Sequence, residues 1–283
     1  MSARTSFNEL LETGAHFGHL KSKWNPAMAP YIYAEKNGIH IIDLNKTVAK
    51  IEEAATAIKQ IARSGRKILF VATKKQAKDI VAERIKPLNM PYVTERWPGG
   101  MLTNFATIRK SIRRMAQIDK MTTDGTFSSI SKKERLQISR ERAKLEIQFG
   151  SIADLSRLPA ALFIVDITKE HIAVKEAKRL NIPTFAIVDT NSNPNEVDYA
   201  IPANDDASTS IAYIIDLMGA AIKEGLAERK MDKEAQAAEE KDSKEESKHE
   251  AEELAAGLKF KGTEEEEGDK GGKRPRKRVT AKK

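Results

Sequence analysis

KILFVATKKQA, Lys67–Ala77, opens on a run of apolar, partly β-branched residues and turns polar at Lys74. Runs of this kind suit a strand covered on both faces, followed by the start of a helix. LFIVD (Leu162–Asp166), TFAIVD (Thr184–Asp189) and IHIIDL (Ile39–Leu44) read the same way, and Tyr92–Glu95 and Tyr199–Ile201 are weaker strand candidates. Between them lie helical patterns. Val48, Ile51, Ala55, Ile58 and Ala62 recur at three- and four-residue steps, and a second amphipathic stretch runs from about Glu170 to Leu180. Strands alternating with helices predict right-handed crossovers and a doubly wound parallel α/β sheet of about five strands, with ligands at the carboxyl ends of the strands.

The alternation stops at residues 103–149, which offer two helical stretches around Thr122–Thr126 and no strand. Ile108, Ile112, Met115 and Ile118 form a stripe on the first stretch, answered by Leu136, Ala143 and Ile147 on the second. This pattern predicts an inserted antiparallel helical coiled-coil hairpin with arms of roughly 25 Å. The expected organisation is an α/β domain from residues 1–102 and 150–229, the hairpin at 103–149, and a charged tail at 230–283. In the tail, residues 230–269 hold 7 basic and 15 acidic side chains, and residues 270–283 hold 8 basic and none acidic. With few large apolar residues to offset the entropy of ordering, the tail is expected to be disordered, with transient helix near Met231–Leu254.

The 283 residues are 40% hydrophobic, enough for a sizeable core, and 49 Lys and Arg against 41 Asp and Glu give a net charge of +8. Because the tail is neutral as a whole, the excess lies in residues 1–229, which favours a polyanionic partner. No cysteine is present, so disulfide frameworks and thiolate metal sites are excluded. No apolar run approaches the ~20 residues of a membrane span, and Met1–Glu12 lacks a secretory signal, so a cytosolic protein is expected.

The catalytic inventory is poor. A phosphate-binding loop would follow KILFVAT, but Thr73–Ala77 contains no glycine to bring backbone N–H groups onto a phosphate. Lys74 and Lys75 either meet phosphate as side-chain charges or begin a solvated helix. His16 and His19, three residues apart, suggest a metal site, although packing or an RNA hydrogen bond accounts for them more simply. Asp189, Asp205 and Asp206 fall where strand ends converge, and with His16 they could hold magnesium, zinc or manganese; helix capping by Asn204 or Asp206 explains part of the same pattern. No cofactor is required.

The nucleic-acid signal is stronger. Residues 95–150 carry 12 basic against 6 acidic side chains, and Arg109, Lys110, Arg113 and Arg114 lie along one helical side, able to follow a phosphate backbone. Lys132, Lys133 and Arg135 add charge on the second arm. Lys21, Lys23, Trp24 and Asn25 combine cations with an aromatic face, as do Arg96 and Trp97 before Gly99 and Gly100. Either tryptophan can stack on an unpaired base or anchor the core.

GAHFGHLKSKWNPAMAPYIYAEKNGIHIIDLNKT (Gly14–Thr47), ILFVATKKQA (Ile68–Ala77), ERWPGGMLTNFATIRKSI (Glu95–Ile112) and IPTFAIVDTNSNPNEVDYAIPANDDASTSI (Ile182–Ile211) together resemble small-subunit ribosomal protein S2 of the bacterial type, over about residues 5–226. Pro98, where the family usually has leucine, and Ala160, where an acidic residue often follows proline, depart from its pattern. The resemblance implies a flavodoxin-like domain with an inserted coiled coil and no catalysis. It also implies a seat on small-subunit rRNA between head and body, among neighbouring ribosomal proteins, and support for recruiting the large mRNA-binding protein at initiation. DNA and membrane partners are not expected. The hairpin, with Asn104 at its foot, and the Trp24 and Trp97 segments are the expected rRNA contacts.

Overall fold

The computed structural model describes residues 4–125 and 131–261, with side chains described as far as Ala235. Ser6 opens helix α1 (Phe7–Glu12) with a capping box, its hydroxyl accepting from Glu9 N–H while the Glu9 carboxylate accepts from Ser6 N–H. Strands β1 (Phe17–Leu20), β2 (Ile32–Lys36) and β3 (Ile39–Ile42) then form an antiparallel sheet in the order β1-β3-β2. The run Ile39–Leu44, expected in the parallel sheet, is therefore the centre of this separate one. Its burial alternates residue by residue, the mark of a strand with one covered face.

Asp43 caps helix α2 (Leu44–Arg63), after which β4 (Ile68–Val71), α3 (Lys75–Ile85), β5 (Tyr92–Val93), β6 (Ala161–Val165), α6 (His171–Arg179), β7 (Thr184–Val188) and β8 (Tyr199–Pro202) follow in chain order. The five strands β4 to β8 pair in parallel in the order β5-β4-β6-β7-β8, the flavodoxin-like arrangement. β4, β6 and β7 are buried at every residue. Ile68, Phe70, Phe163 and Phe185 face a core shared with α2, α3 and the start of α7 (Ser208–Lys261). Leu69, Val71, Leu162 and Ile164 face the opposite layer, with Ala173, Val174 and Ala177 of α6. The period-two alternation of strand side chains thus feeds two cores from one sheet.

Between β5 and β6 the chain makes α4 (Phe105–Thr123) and α5 (Lys132–Phe149). Ile108, Met115 and Ile118 are buried along α4 and Ile112 is half-buried, as expected. The expected stripe on the second arm is wrong: Leu136 is 53% and Ile147 66% exposed, and Ala143 is exposed too. The covered positions are instead Arg135, Ile138, Arg142, Leu145 and Phe149, at steps of three and four, with Glu141 half-buried beside them. Phe149 fixes that register because it enters the same buried cluster as Ile108 and Trp97.

Tertiary contacts divide the chain at Arg229, and the hairpin belongs to the unit before that point. Where the sequence suggests a tail with transient helix, α7 continues to Lys261. Residues 230–261 are rich in Ala, Glu and Lys, all strong helix formers. The expectations for residues 262–283 lie outside the described residues.

Candidate nucleic-acid interface

α4 and α5 hold eleven basic and four acidic side chains, and ion pairs across the hairpin engage only part of that charge. Arg114 Nε meets Glu141 at 3.1 Å, Arg142 Nε meets Asp119 at 2.6 Å, and Arg142 also pairs with Glu146. These partners are all substantially exposed, so the pairs orient the arms and add little stability. Arg109 donates to the Ser156 carbonyl at 2.9 Å, which ties the foot of α4 to the loop after α5. Lys110, Arg113, Lys120, Lys132, Lys133, Arg140 and Lys144 are exposed and have no ion-pair partner among the described residues. Arg135 is half-buried, with its Nε enclosed and unpaired.

The hairpin's root is set by a residue that sequence reading missed. Glu176 on α6 accepts hydrogen bonds from the N–H groups of Gly100 (2.7 Å), Leu102 (2.9 Å) and Thr103 (3.0 Å), and from Trp97 Nε1–H (3.2 Å). Burial pushes its pKa up, but those donors outweigh burial and the carboxyl titrates below its ordinary value. Gly100 adopts φ +84°, a left-handed conformation that costs a side-chain-bearing residue, and so turns its N–H toward the carboxylate. Trp97 is only 6% exposed and donates to Glu176, so it anchors the core and cannot stack on a base. Asn104 is exposed and accepts from Thr107 Oγ1–H, and Arg96 is exposed in the loop before Trp97.

The carboxyl ends of the parallel strands, where a nucleotide enzyme of this fold binds its ligand, are filled by acids. Lys74, expected to be available to phosphate, is buried instead. Its ammonium lies 2.8 Å from Asp205, 2.5 Å from Asp206 and 3.7 Å from Asp166. Glu170, also buried, accepts from Thr73 N–H and Oγ1–H beside it. Lys75, one residue on, faces solvent. Three carboxylates around one lysine, with Glu170 beside them, repel a phosphate, so the crevice is ill suited to a nucleotide.

Asp189, Asp205 and Asp206 do converge, but with His19 and not His16. His19 Nδ1 lies 2.9 Å from Asp189 and its Nε2 3.4 Å from Asp206. His16 points into an apolar recess lined by Phe7, Leu11 and Tyr33, and burial there lowers its pKa. His16 closes the turn before β1 while His19 lies on the strand, which separates the two imidazoles. Donor atoms of His19, Asp205 and Asp206 lie within 4.8 Å of one another, a spacing suited to a divalent cation. The Lys74 ammonium already bridges the two aspartates, so a cation would have to displace it. Asp166 was also missed, although LFIVD repeats the ending of TFAIVD and marks equivalent strand ends.

The cluster predicts a pH dependence. Its hydrogen bond to Asp189 raises the His19 pKa, and burial beside Asp189 and Asp166 pushes Asp205 up to about 7, against the pull of Lys74. Asp205 keeps its proton in the fold at pH values where the unfolded chain has released it, so its contribution falls as pH rises from 3.8 to about 7. The charged His19 contributes fully below 6.5 and is lost as pH rises through its raised value. Melting temperature should therefore fall between about pH 5.5 and 8. Asp205→Asn should make the fall shallower; an unchanged slope in that variant would assign the dependence elsewhere.

Near the N-terminus, Lys21 pairs with Glu35 at 2.6 Å, while Lys23 is exposed without a partner among the described residues. The Asn25 side chain accepts from Ala27 N–H and so caps the turn at Pro26–Tyr31. Trp24 remains 37% exposed.

A sheet whose ligand edge is occupied by its own charges, carrying a cationic helical hairpin, has the make-up of a binding protein. A family model described as Ribosomal protein S2 matches residues 10–225. A small ribosomal subunit protein uS2 from Flavobacterium johnsoniae is 68% identical over 240 residues, covering 85% of this chain and 94% of that protein. Proteins of the same name from Phocaeicola vulgatus and Bacteroides thetaiotaomicron are each 68% identical over 231 residues, covering 82% of this chain and 83% of theirs. The chain belongs to the ribosomal protein S2 family, and as such is a ribosome-bound structural component of the small subunit and not an enzyme. None of its described helices is long and apolar enough to cross a membrane.

Proposed function

We propose that the hairpin is the principal rRNA-binding element of the chain. The observation that carries this reading is the set of exposed cations on α4 and α5 that have no ion-pair partner among the described residues, led by Lys110, Arg113, Lys132 and Lys133. Each phosphate they neutralise releases counterions, so binding weakens steeply with salt. Lys21, Lys23, Lys75, Arg96 and Asn104, all exposed, extend the contact beyond the hairpin. The same proposal includes a seat between head and body of the small subunit, and support for recruiting the large mRNA-binding protein at initiation; both rest on the family likeness.

Deleting residues 104–148 should abolish co-sedimentation with small subunits. Reversing Lys110, Arg113, Lys132 and Lys133 to glutamate should preserve the fold and flatten the dependence of log K on log salt by about three units, from ~0.7–0.9 per lost phosphate contact. Undiminished incorporation of either variant would move the RNA contact off the hairpin.

A further inference from the structure

Trp24 lies against His40, with ring centroids 5.3 Å apart and planes tilted by 37°. His40 sits at the centre of the antiparallel sheet, on β3, and is only 7% exposed. Both of its ring nitrogens are enclosed and have no hydrogen-bond partner among the described residues. Leaving a buried polar edge unpaired is costly, so the imidazole serves here through its flat face.

The segment carrying Trp24 is pinned at both ends. Lys21 N–H donates to the Gly38 carbonyl at 2.9 Å, and Asn25 N–H donates to the Thr190 carbonyl at 2.8 Å. Thr190 Oγ1 also accepts from His19 N–H at 2.8 Å, and Gly18 lies so close to Thr190 that an added Cβ would come within 2.6 Å of it. One side of the indole is thus supported from the body of the protein while part of its surface stays open to solvent. Lys23, exposed and without an ion-pair partner among the described residues, adjoins it in the chain.

We infer that Trp24 and His40 form a nucleobase seat: an unpaired base of the bound RNA stacks on the open face of Trp24, Lys23 meets its phosphate, and His40 is the positioning residue that holds the indole outward. An indole face accepts any base, and a single-stranded base exposes the π-surface that a duplex hides. The inference rests on the RNA-binding reading above and adds its ligand class at this end of the molecule.

Trp97 is buried and hydrogen-bonded to Glu176, so quenching of the full chain's indole emission by added RNA reports Trp24, and Trp24→Phe should remove that response. Titration with a single-stranded RNA dodecamer should give saturable quenching; a duplex of the same length should bind through charge and leave the emission nearly unchanged. His40→Ala, which removes the support, should abolish the quenching and weaken single-strand binding about tenfold, the scale of one lost base stack, with the salt slope unchanged. His40→Phe, which keeps a flat ring without nitrogens and guards against a folding defect, should restore the quenching.

Equal quenching by duplex and single strand, quenching that survives His40→Ala, or failure of His40→Phe to restore it would each overturn the seat. If both RNAs bind with normal salt dependence and Trp24 emission does not change, the seat alone is refuted. If neither RNA binds at low salt, the RNA-binding reading itself fails.

Discussion

Replacing Lys74 with methionine should cost the folded body about 3–5 kcal/mol near pH 8, the scale of a buried ion pair stripped of one partner. Methionine nearly matches the lysine stem in volume, so packing is conserved and the loss is electrostatic. What remains is Asp166, Asp205 and Asp206 with only His19 beside Asp206, and its charge is lost as pH rises through its raised pKa; the Asp205 side chain is 0% exposed and its Oδ2 is already unpartnered among the described residues. Asp205 has an outlet, because its pKa stands at about 7 even with Lys74 present and rises further without it. At pH 5.5 it is protonated, one of the buried charges is gone, and the destabilisation should shrink. Urea unfolding of parent and Lys74→Met at both pH values measures this directly. An equal loss at the two pH values would mean that the lysine stem, and not its charge, carries the stability.

Glu176→Ala should be comparably severe, at about 3 kcal/mol. It removes an acceptor shared by three backbone N–H groups and the Trp97 indole N–H, and each donor left unpaired in a buried setting costs ~1–3 kcal/mol, offset where water can enter. Leu102 N–H and the indole N–H are the buried donors and carry most of the loss. Glu176→Gln should fall between parent and alanine variant, since one amide oxygen accepts while the NH2 faces N–H groups it cannot serve. In the parent this contribution is present above the ordinary carboxylate range, near 4.5, and is lost as pH falls through the lowered value of Glu176. Amide exchange at residues 100–105 should accelerate in both variants, reporting the loosened root of α4. Protection unchanged in Glu176→Ala would show that packing of Met101 and Leu102 holds the turn without the carboxylate.

These two residues show where sequence reading reaches its limit. Lys74 follows a strand in the position where a phosphate-binding lysine would stand, and its one-dimensional context favours that role. Only the return of the chain at Asp205 and Asp206, 131 residues later, turns it into a structural cation. Glu176 lies on an amphipathic helix, where a glutamate ordinarily faces water; most of its partners are backbone groups 73 to 76 residues away, which carry no side-chain signature. Trp97 was ambiguous for the same reason, and Glu176 resolves it.

Local sequence was enough to place the five strands of the parallel sheet, the inserted helices and the excess of positive charge upon them. Those properties come from local periodicity and composition, and hydrophobic burial enforces them wherever the chain goes. The tertiary structure alone decided which of His16 and His19 meets the aspartates, which face of the second hairpin arm is covered, that Ile39–Ile42 leaves the main sheet, and which lysine is spent inside. Apart from the choice of sheet for Ile39–Ile42, each is a choice between positions one to three residues apart in the chain. Such a choice turns on side-chain direction relative to a distant segment, and that direction is fixed only when the two surfaces close against each other.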